Sequence, residues 1–280
     1  MNNDNERLTL REVQLEELNI LLKVTEFLDA NNLYYCLCGG TMLGAVRHKG
    51  FIPWDDDIDL LMFREDFEKL RSIVKEQRPL LEGVVFRLPG DDGYIYPFIK
   101  AVNPSIIVDY GKPDDKFLWI DIFPMDHFPD SKLMHWLYLQ RLITLERALS
   151  MGTYSDENMR QRGYYGSFTR KLKMNIARFL YKFFGGYEKI SRRIDRIAQD
   201  MDRKYKASQH VGDGSWPNGM KDYFRVEWVS PSVKMQFEGY EFNVPEKYDS
   251  YLTRFYGDYM TLPPEDKRQT HYLTAYRAKP

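Results

Sequence analysis

Gly39-Gly40-Thr41-Met42-Leu43-Gly44-Ala45-Val46-Arg47-His48-Lys49-Gly50-Phe51-Ile52-Pro53-Trp54-Asp55-Asp56-Asp57-Ile58-Asp59 is the stretch that decides how this chain is read. The run before it, Leu33 to Cys38, is short, apolar and partly aromatic, and stops at two glycines; this predicts a buried strand entering a tight turn. Thr41 to His48 then reads as a short helix, Lys49 to Asp56 as a loop around Pro53, and Asp57 to Phe63 as a second strand. In such a strand Asp57 and Asp59 project from one face while Ile58 and Leu60 take the other. Two adjacent carboxylates repel each other unless water or a cation stands between them. Taken alone, Asp55-Asp56-Asp57 is equally well a solvated acidic turn. The segment before it shifts the balance. A glycine turn that opens a helix presents backbone N–H groups to a phosphate, Arg47 and Lys49 add positive charge, and the paired carboxylates suit a hard divalent cation, most simply Mg2+.

Upstream, Thr9-Leu10-Arg11-Glu12 has capping-box spacing, and Leu18, Leu21, Leu22, Thr25 and Leu28 recur at helical period up to about Asn31-Asn32. Downstream, Arg64 to Glu76 reads as a helix with Phe67, Leu70 and Val74 inward. Strands are expected at Val84 to Leu88 and Tyr94 to Ala101, flanking the turn Pro89 to Gly93, and again at Ser105 to Tyr110 and Lys116 to Phe123. The last of these holds Asp121, a lone acid among Trp119, Ile120, Ile122 and Phe123, which needs a partner if buried. Beside the Asp57–Asp59 strand it would bring three carboxylates to one metal site. This places the sheet in the first half of the chain. Ser131 to Ser150 and Thr169 to Ala207, broken at Gly185-Gly186, are helical in pattern, and Tyr223 to Tyr259 returns to short strands and a Tyr-rich helix.

Forty Lys and Arg against 41 Asp and Glu leave a net charge of −1 over 280 residues, which gives no global basis for binding nucleic acid. Aromatic residues at 15% exclude wholesale disorder. Cys36 and Cys38 cannot build a disulfide framework and read as buried reduced thiols of a reducing compartment. The five histidines lack zinc-ligand spacing. Met1 to Arg7 holds no apolar core of a signal peptide, and no run reaches the ~20 apolar residues of a membrane span. A cytoplasmic protein, soluble or peripheral on the inner face of the cell membrane, is expected.

The quoted stretch closely resembles the signature of the LicD family, phosphorylcholine transferases of bacterial surface glycans related to the fukutin-type ribitol-phosphate transferases. Trp119-Ile120-Asp121-Ile122-Phe123-Pro124-Met125-Asp126 is similar to a second family segment, and Tyr256-Gly257-Asp258-Tyr259-Met260-Thr261-Leu262-Pro263-Pro264-Glu265, followed by Lys267, Arg268 and His271, to a third. The resemblance spans about Leu15 to His271, with 151–220 poorly matched. It implies an α/β (α+β) nucleotidyltransferase-like mixed sheet flanked by helices, with Gly39, Gly40 and Thr41 at the nucleotide phosphates and Asp57, Asp59 and Asp121 as the carboxylate triad. It further implies CDP-choline as donor and a sugar hydroxyl of a teichoic acid, lipopolysaccharide or similar glycan as acceptor.

On this reading Mg2+ (or Mn2+) on Asp57 and Asp59 bridges the donor pyrophosphate, and Asp121 completes the metal shell or takes the acceptor's proton. Arg47 and Lys100 are candidates for the phosphate oxygens, with Lys267, Arg268 and His271 closing over the site from the C-terminal segment. A quaternary ammonium is held by aromatic faces, and Trp54 and Trp119 are the candidates by proximity. Other donors consistent with the same residues are CDP-ribitol, CDP-ethanolamine or a nucleoside triphosphate; a nucleotide-binding regulatory module without turnover is the alternative of another class. Residues 1–129 are expected to form the catalytic core, 130–222 a helical region for acceptor or membrane contact, and 223–280 a segment returning to the active site. Within 168–184 no acid occurs among Arg170, Lys171, Lys173, Arg178 and Lys182, while Leu172, Ile176, Phe179, Leu180 and Phe183 share a face. Such a helix either packs its apolar side on the core or lies in a membrane interface among anionic lipids, where a lipid-linked acceptor would be met.

Overall fold

A computed structural model describes residues 6–77, 81–109, 116–161, 163–268, 270 and 274–278. The chain opens with β1 (Glu6–Arg7) and α1 (Leu10–Ala30). The capping box is formed as the spacing requires: the Thr9 side chain accepts the Glu12 N–H, and the Glu12 carboxylate accepts the Thr9 N–H. The strand before the glycines is short, β2 (Cys36–Leu37), because it pairs only at the sheet edge. Gly39 and Gly40 lie inside the first turn of α2 (Gly39–His48), capped by an extended Cys38, and do not form a separate turn before it. Gly39 takes φ +54, a region that glycine enters without a steric penalty. β3 (Asp59–Phe63) begins two residues later than expected, so Asp57 belongs to the loop leading into it. α3 (Arg64–Glu76) buries Phe67, Leu70 and Val74.

β4 (Val85–Arg87) and β5 (Ile99–Asp109) follow. The two strands expected between Tyr94 and Tyr110 are one strand that starts at Ile99 and shifts register between Asn103 and Ile107, while Tyr94, Tyr96 and Phe98 form an aromatic cluster of their own. β6 (Phe117–Phe128) is the centre of the sheet, parallel to β3 and antiparallel to β5. Four helices come next: α4 (Lys132–Thr153), α5 (Asp156–Gln161), α6 (Phe168–Phe183) and α7 (Tyr187–Lys204). β7 (His210–Asp213) and β8 (Phe224–Arg225) rejoin the sheet, β9 (Ser232–Phe237) and β10 (Tyr240–Pro245) make a separate hairpin, and α8 (Tyr248–Tyr256) and β11 (Thr274–Arg277) complete the fold.

The sheet order is β1-β11-β5-β6-β3-β2, with β4 also on β5, and β7 on β6 and β8. The sheet is therefore not confined to the first half: β7, β8 and β11 come from the second, and their short, weakly patterned segments are held by non-local pairing. The main core joins α1, α2, α3 and the sheet to the hairpin and α8, with Leu21, Ile58, Phe67, Phe237, Phe242 and Leu252 buried together. A second cluster packs α4 on α7 through Leu142, Leu145, Leu149, Ile190, Ile194 and Ile197. The helical layer is tied to the sheet by Arg64, which is buried and donates to Asp126 (2.6 Å) and Asp195 (3.1 Å). Because β7 precedes residue 222, the chain is back in the sheet before the expected end of the helical region. No described helix is long and apolar enough to cross a membrane.

Candidate active site

The register of three strands builds the site. Asp59 on β3 stands opposite Asp121 on β6, and Asp121 opposite Lys100 on β5, so that two acids and a base form a row across one face of the sheet. Backbone bonds lock the row: the Asp121 N–H donates to the Ile58 carbonyl (2.9 Å), and the Asp59 N–H donates to Thr41 Oγ1 (2.9 Å). Lys100 is buried, with Nζ 3.4 Å from Asp121 Oδ1 and 3.7 Å from the centroid of the Trp119 ring. Trp119 also donates its indole N–H to Asp121 Oδ2 (3.2 Å).

This row forms a wall of an open cavity of about 720 Å3 that is also lined by Gly39, Gly40, Trp54, Asp55 and Asp57. A side chain on either glycine would collide with an acid: a Cβ would lie 3.0 Å from Asp59 Oδ2 at Gly39 and 2.5 Å from Asp55 Oδ2 at Gly40. The glycines thus let carboxylates stand against the start of α2. Burial drives the Asp59 carboxyl well above its ordinary range, Asp57, Asp121 and Asp55 push it further, and Lys100 opposes them. Beneath the cluster, the Glu17 carboxyl of α1 is driven well above its ordinary value, by burial first and then by Asp57, Asp56, Asp55 and Asp59.

The structure gathers Gly39, Gly40, Trp54, Asp57, Asp59, Lys100, Trp119 and Asp121 around one cavity. Of the other expected site residues, the described ones do not line the cavity. Thr41 is buried behind the glycines and anchors β3 through its hydroxyl. Arg47 donates to the Tyr259 carbonyl (2.6 Å) and pins the C-terminal segment without facing the cavity. Lys49 ends α2 in a left-handed conformation. Lys267 is exposed on a short 3-10 turn. Arg268 stacks 5.2 Å over the Trp54 ring. His271 lies outside the described residues. Each tryptophan expected to face a substrate cation already carries a protein cation, Lys100 on Trp119 and Arg268 on Trp54.

Cavity residues not anticipated as site residues come from the return of the chain. Asp213 ends β7 and accepts three hydrogen bonds, from the N–H and hydroxyl of Ser215 (2.7 and 2.6 Å) and the N–H of Trp216 (3.0 Å), which sets the indole in the wall. Asp222, Tyr251, Phe255 and Tyr256 line the cavity as well. Burial and the nearby Asp213 drive the Asp222 carboxyl well above its ordinary range, and burial with Asp59 raises the Tyr256 phenol. Tyr256 opens the third family-like segment and so was within reach of the sequence; Asp213 and Asp222 carry no local motif. Tyr96, Phe98, Phe123 and Trp216 form an aromatic wall with ring centroids 4.6–5.8 Å apart. Cys36 and Cys38 are reduced and buried, and burial pushes the Cys36 thiol up to about 12.

A mixed sheet that aligns carboxylates beside the glycine start of a helix is the frame of a nucleotidyltransferase-type transferase. Residues 32–143 match the family model described as LicD/FKTN/FKRP, nucleotidyltransferase domain. The chain is 28% identical over 280 residues to lipopolysaccharide cholinephosphotransferase LicD of Haemophilus influenzae, an alignment covering 95% of this chain and 97% of that one. It is also 40% identical over 77 residues to the human ribitol 5-phosphate transferase FKRP, covering 23% of this chain and 16% of that protein, and 33% identical over 128 residues to an uncharacterized protein of Rickettsia prowazekii. The chain is thus similar to LicD along nearly its whole length, with the family's nucleotidyltransferase domain matched at 32–143, and it is an enzyme of the transferase class.

Proposed function

We propose that this enzyme transfers phosphorylcholine from CDP-choline to a sugar hydroxyl of a bacterial surface glycan, lipopolysaccharide or teichoic acid, releasing CMP. The observation that carries the reading is the row Asp59, Asp121 and Lys100 beside Asp57 and the glycines of α2, within a chain similar along nearly its whole length to a cholinephosphotransferase. The residues fit a divalent cation: the half-buried Asp59 carboxyl is crowded by Asp57, Asp121 and Asp55, and an added positive charge relieves that crowding. Among the described residues no three His, Cys, Asp or Glu side chains are placed to hold a metal ion by themselves, so Mg2+ or Mn2+ on Asp57, Asp59 and Asp121 would need donor phosphates to complete its shell. Such an ion would supply charge neutralisation at the departing CMP.

The chain's own residues position the reactants. The Gly39-Gly40 start of α2 presents backbone N–H groups toward the donor phosphates, and Lys100 adds a fixed charge beside Asp121. The aromatic wall of Tyr96, Phe98, Phe123 and Trp216, whose Tyr96 and Phe98 rings share Lys100 with Trp119, bounds the space for the quaternary ammonium. Tyr251 and Tyr256 also line the cavity and bound the space for the acceptor.

A CMP-release assay tests the reading, using CDP-choline, CDP-ethanolamine and CDP-ribitol with a crude glycan acceptor in Mg2+ or EDTA. Release is expected with CDP-choline in Mg2+ and its loss in EDTA. Preference for CDP-ribitol would reassign the donor, and full activity in EDTA would remove the metal.

A further inference from the structure

Helix α6 turns its apolar side away from the protein. Phe168, Leu172, Ile176, Phe179 and Phe183 are 82, 49, 51, 67 and 71% exposed. At 3.6 residues per turn these five fall within an arc of about 80°. The side that packs on the protein is narrow and made by Met174 and Ala177, the two buried residues of the helix, centred about 170° from the middle of the apolar stripe. Leu180 and Tyr181 pack against the α4–α7 cluster, which leaves the stripe outside. A helix that covered the core with its apolar side would show the reverse. The sequence pattern alone admitted that arrangement, and the exposures exclude it.

The charges say what covers the stripe. Lys171 and Lys182 follow one border and Lys173 the other, and Arg170 lies close to the packed side, by the same helical geometry. Arg178 turns inward to Asp156 (2.7 Å) and to the Met151 and Tyr154 carbonyls, so it holds α6 to the preceding segment. No acidic residue occurs from 168 to 184. A second copy placed symmetrically on the stripe would set these lysines against their own kind, an unfavourable pairing. An anionic lipid surface satisfies both features: the phenylalanines enter the acyl boundary while the lysines on either side reach the headgroups.

We infer that α6 is an in-plane anchor that seats the enzyme on an anionic membrane through Phe168, Leu172, Ile176, Phe179 and Phe183. The helix contributes nothing to the lining of the catalytic cavity, so the anchor is separable from the chemistry. It brings the enzyme to the surface where a lipid-linked acceptor is presented.

Co-sedimentation with vesicles tests this, comparing phosphatidylglycerol–phosphatidylcholine mixtures with phosphatidylcholine alone. The purified chain is expected to partition onto the anionic vesicles and to weaken in high salt. Phe168→Ser/Phe179→Ser/Phe183→Ser and Lys171→Glu/Lys173→Glu/Lys182→Glu should each lower that partition at least tenfold, with unchanged circular dichroism and thermal midpoint, since the altered side chains are all exposed. Absence of wild-type binding, or partition by both variants equal to that of the wild type, would overturn the anchor. So would a wild-type dimer that the phenylalanine variant converts to monomer, because the stripe would then belong to a second copy.

Discussion

Lys100 is the residue on which the charge balance of the cavity turns. Its ammonium lies on the Trp119 face and beside Asp121, and it is the group that opposes the rise of the Asp59 carboxyl. Lys100→Met should therefore reduce turnover by about 100-fold, the scale of losing a preorganised charge at a transferring phosphoryl group. Trp119→Phe keeps a ring under Lys100 but loses the N–H held on Asp121, and about a tenfold loss is expected; steady-state CMP release on both variants measures this. His135 makes a prediction of another kind. It is fully buried against Phe128 and Tyr223, and neither ring nitrogen has a hydrogen-bond partner among the described residues. Burial, then the charges of His210 and Arg254, lower its pKa from 6.5 to about 4. The unfolded chain thus takes up the proton first as the pH falls, and stability drains away between about pH 6.5 and 4. His135→Phe should flatten that part of the stability profile in urea unfolding, and an unchanged slope would refute the assignment. At this scale the dense motif holds residues that line the cavity, Asp57 and Asp59, and residues that do not, and the sequence does not separate the two. Thr41 and Arg47 belong to the same stretch, yet one anchors a strand and the other holds a distant carbonyl.

Among the elements, long helices were legible because their buried faces repeat: α1 and α3 fall where capping and the apolar period put them. Strands were less so. β2 is two residues long although six apolar and aromatic residues precede the glycines, because only Cys36 and Leu37 meet a partner, and pairing, unlike burial, is not written in the strand itself. β5 runs through Pro104 and a register shift, which read in the sequence as a gap between two strands. A buried contact that joins the elements of the two clusters is made by Arg64, at the start of α3, with Asp126 on β6 and Asp195 on α7. Arg64→Met would leave two buried acids without this cation. A loss of about 3–5 kcal/mol is expected in denaturant unfolding, much more than a surface pair contributes. A loss below about 1 kcal/mol would show that the helical layer is held by its apolar contacts and its other polar ties, such as Arg71 to Asp195 and His127 to Asp202, without need of Arg64.

Across the whole molecule the cavity is assembled from segments far apart in sequence. The carboxylate row comes from residues 57–121 and further lining from 213–256. The first half of that site was readable because its residues sit in dense local motifs. The second half was not, since Asp213 reaches the cavity only by pairing of β7 with β6 at Met125, and Asp222 and Tyr251 by packing of the returning chain. The same return explains why a sheet expected in the first half takes strands from both ends, with β1 and β11 paired at its edge. The net charge of −1 now divides into an acid-lined cavity and a basic helix, and the aromatic content into a cavity wall and an exposed stripe. The central claim is that Asp57 and Asp59 form a catalytic carboxylate site for a CDP-linked donor. The most direct measurement is CMP release from CDP-choline in Mg2+ by Asp57→Asn and Asp59→Asn, each checked by circular dichroism. The account predicts folded variants whose turnover falls at least about 1000-fold; two folded variants that release CMP at the wild-type rate would contradict it.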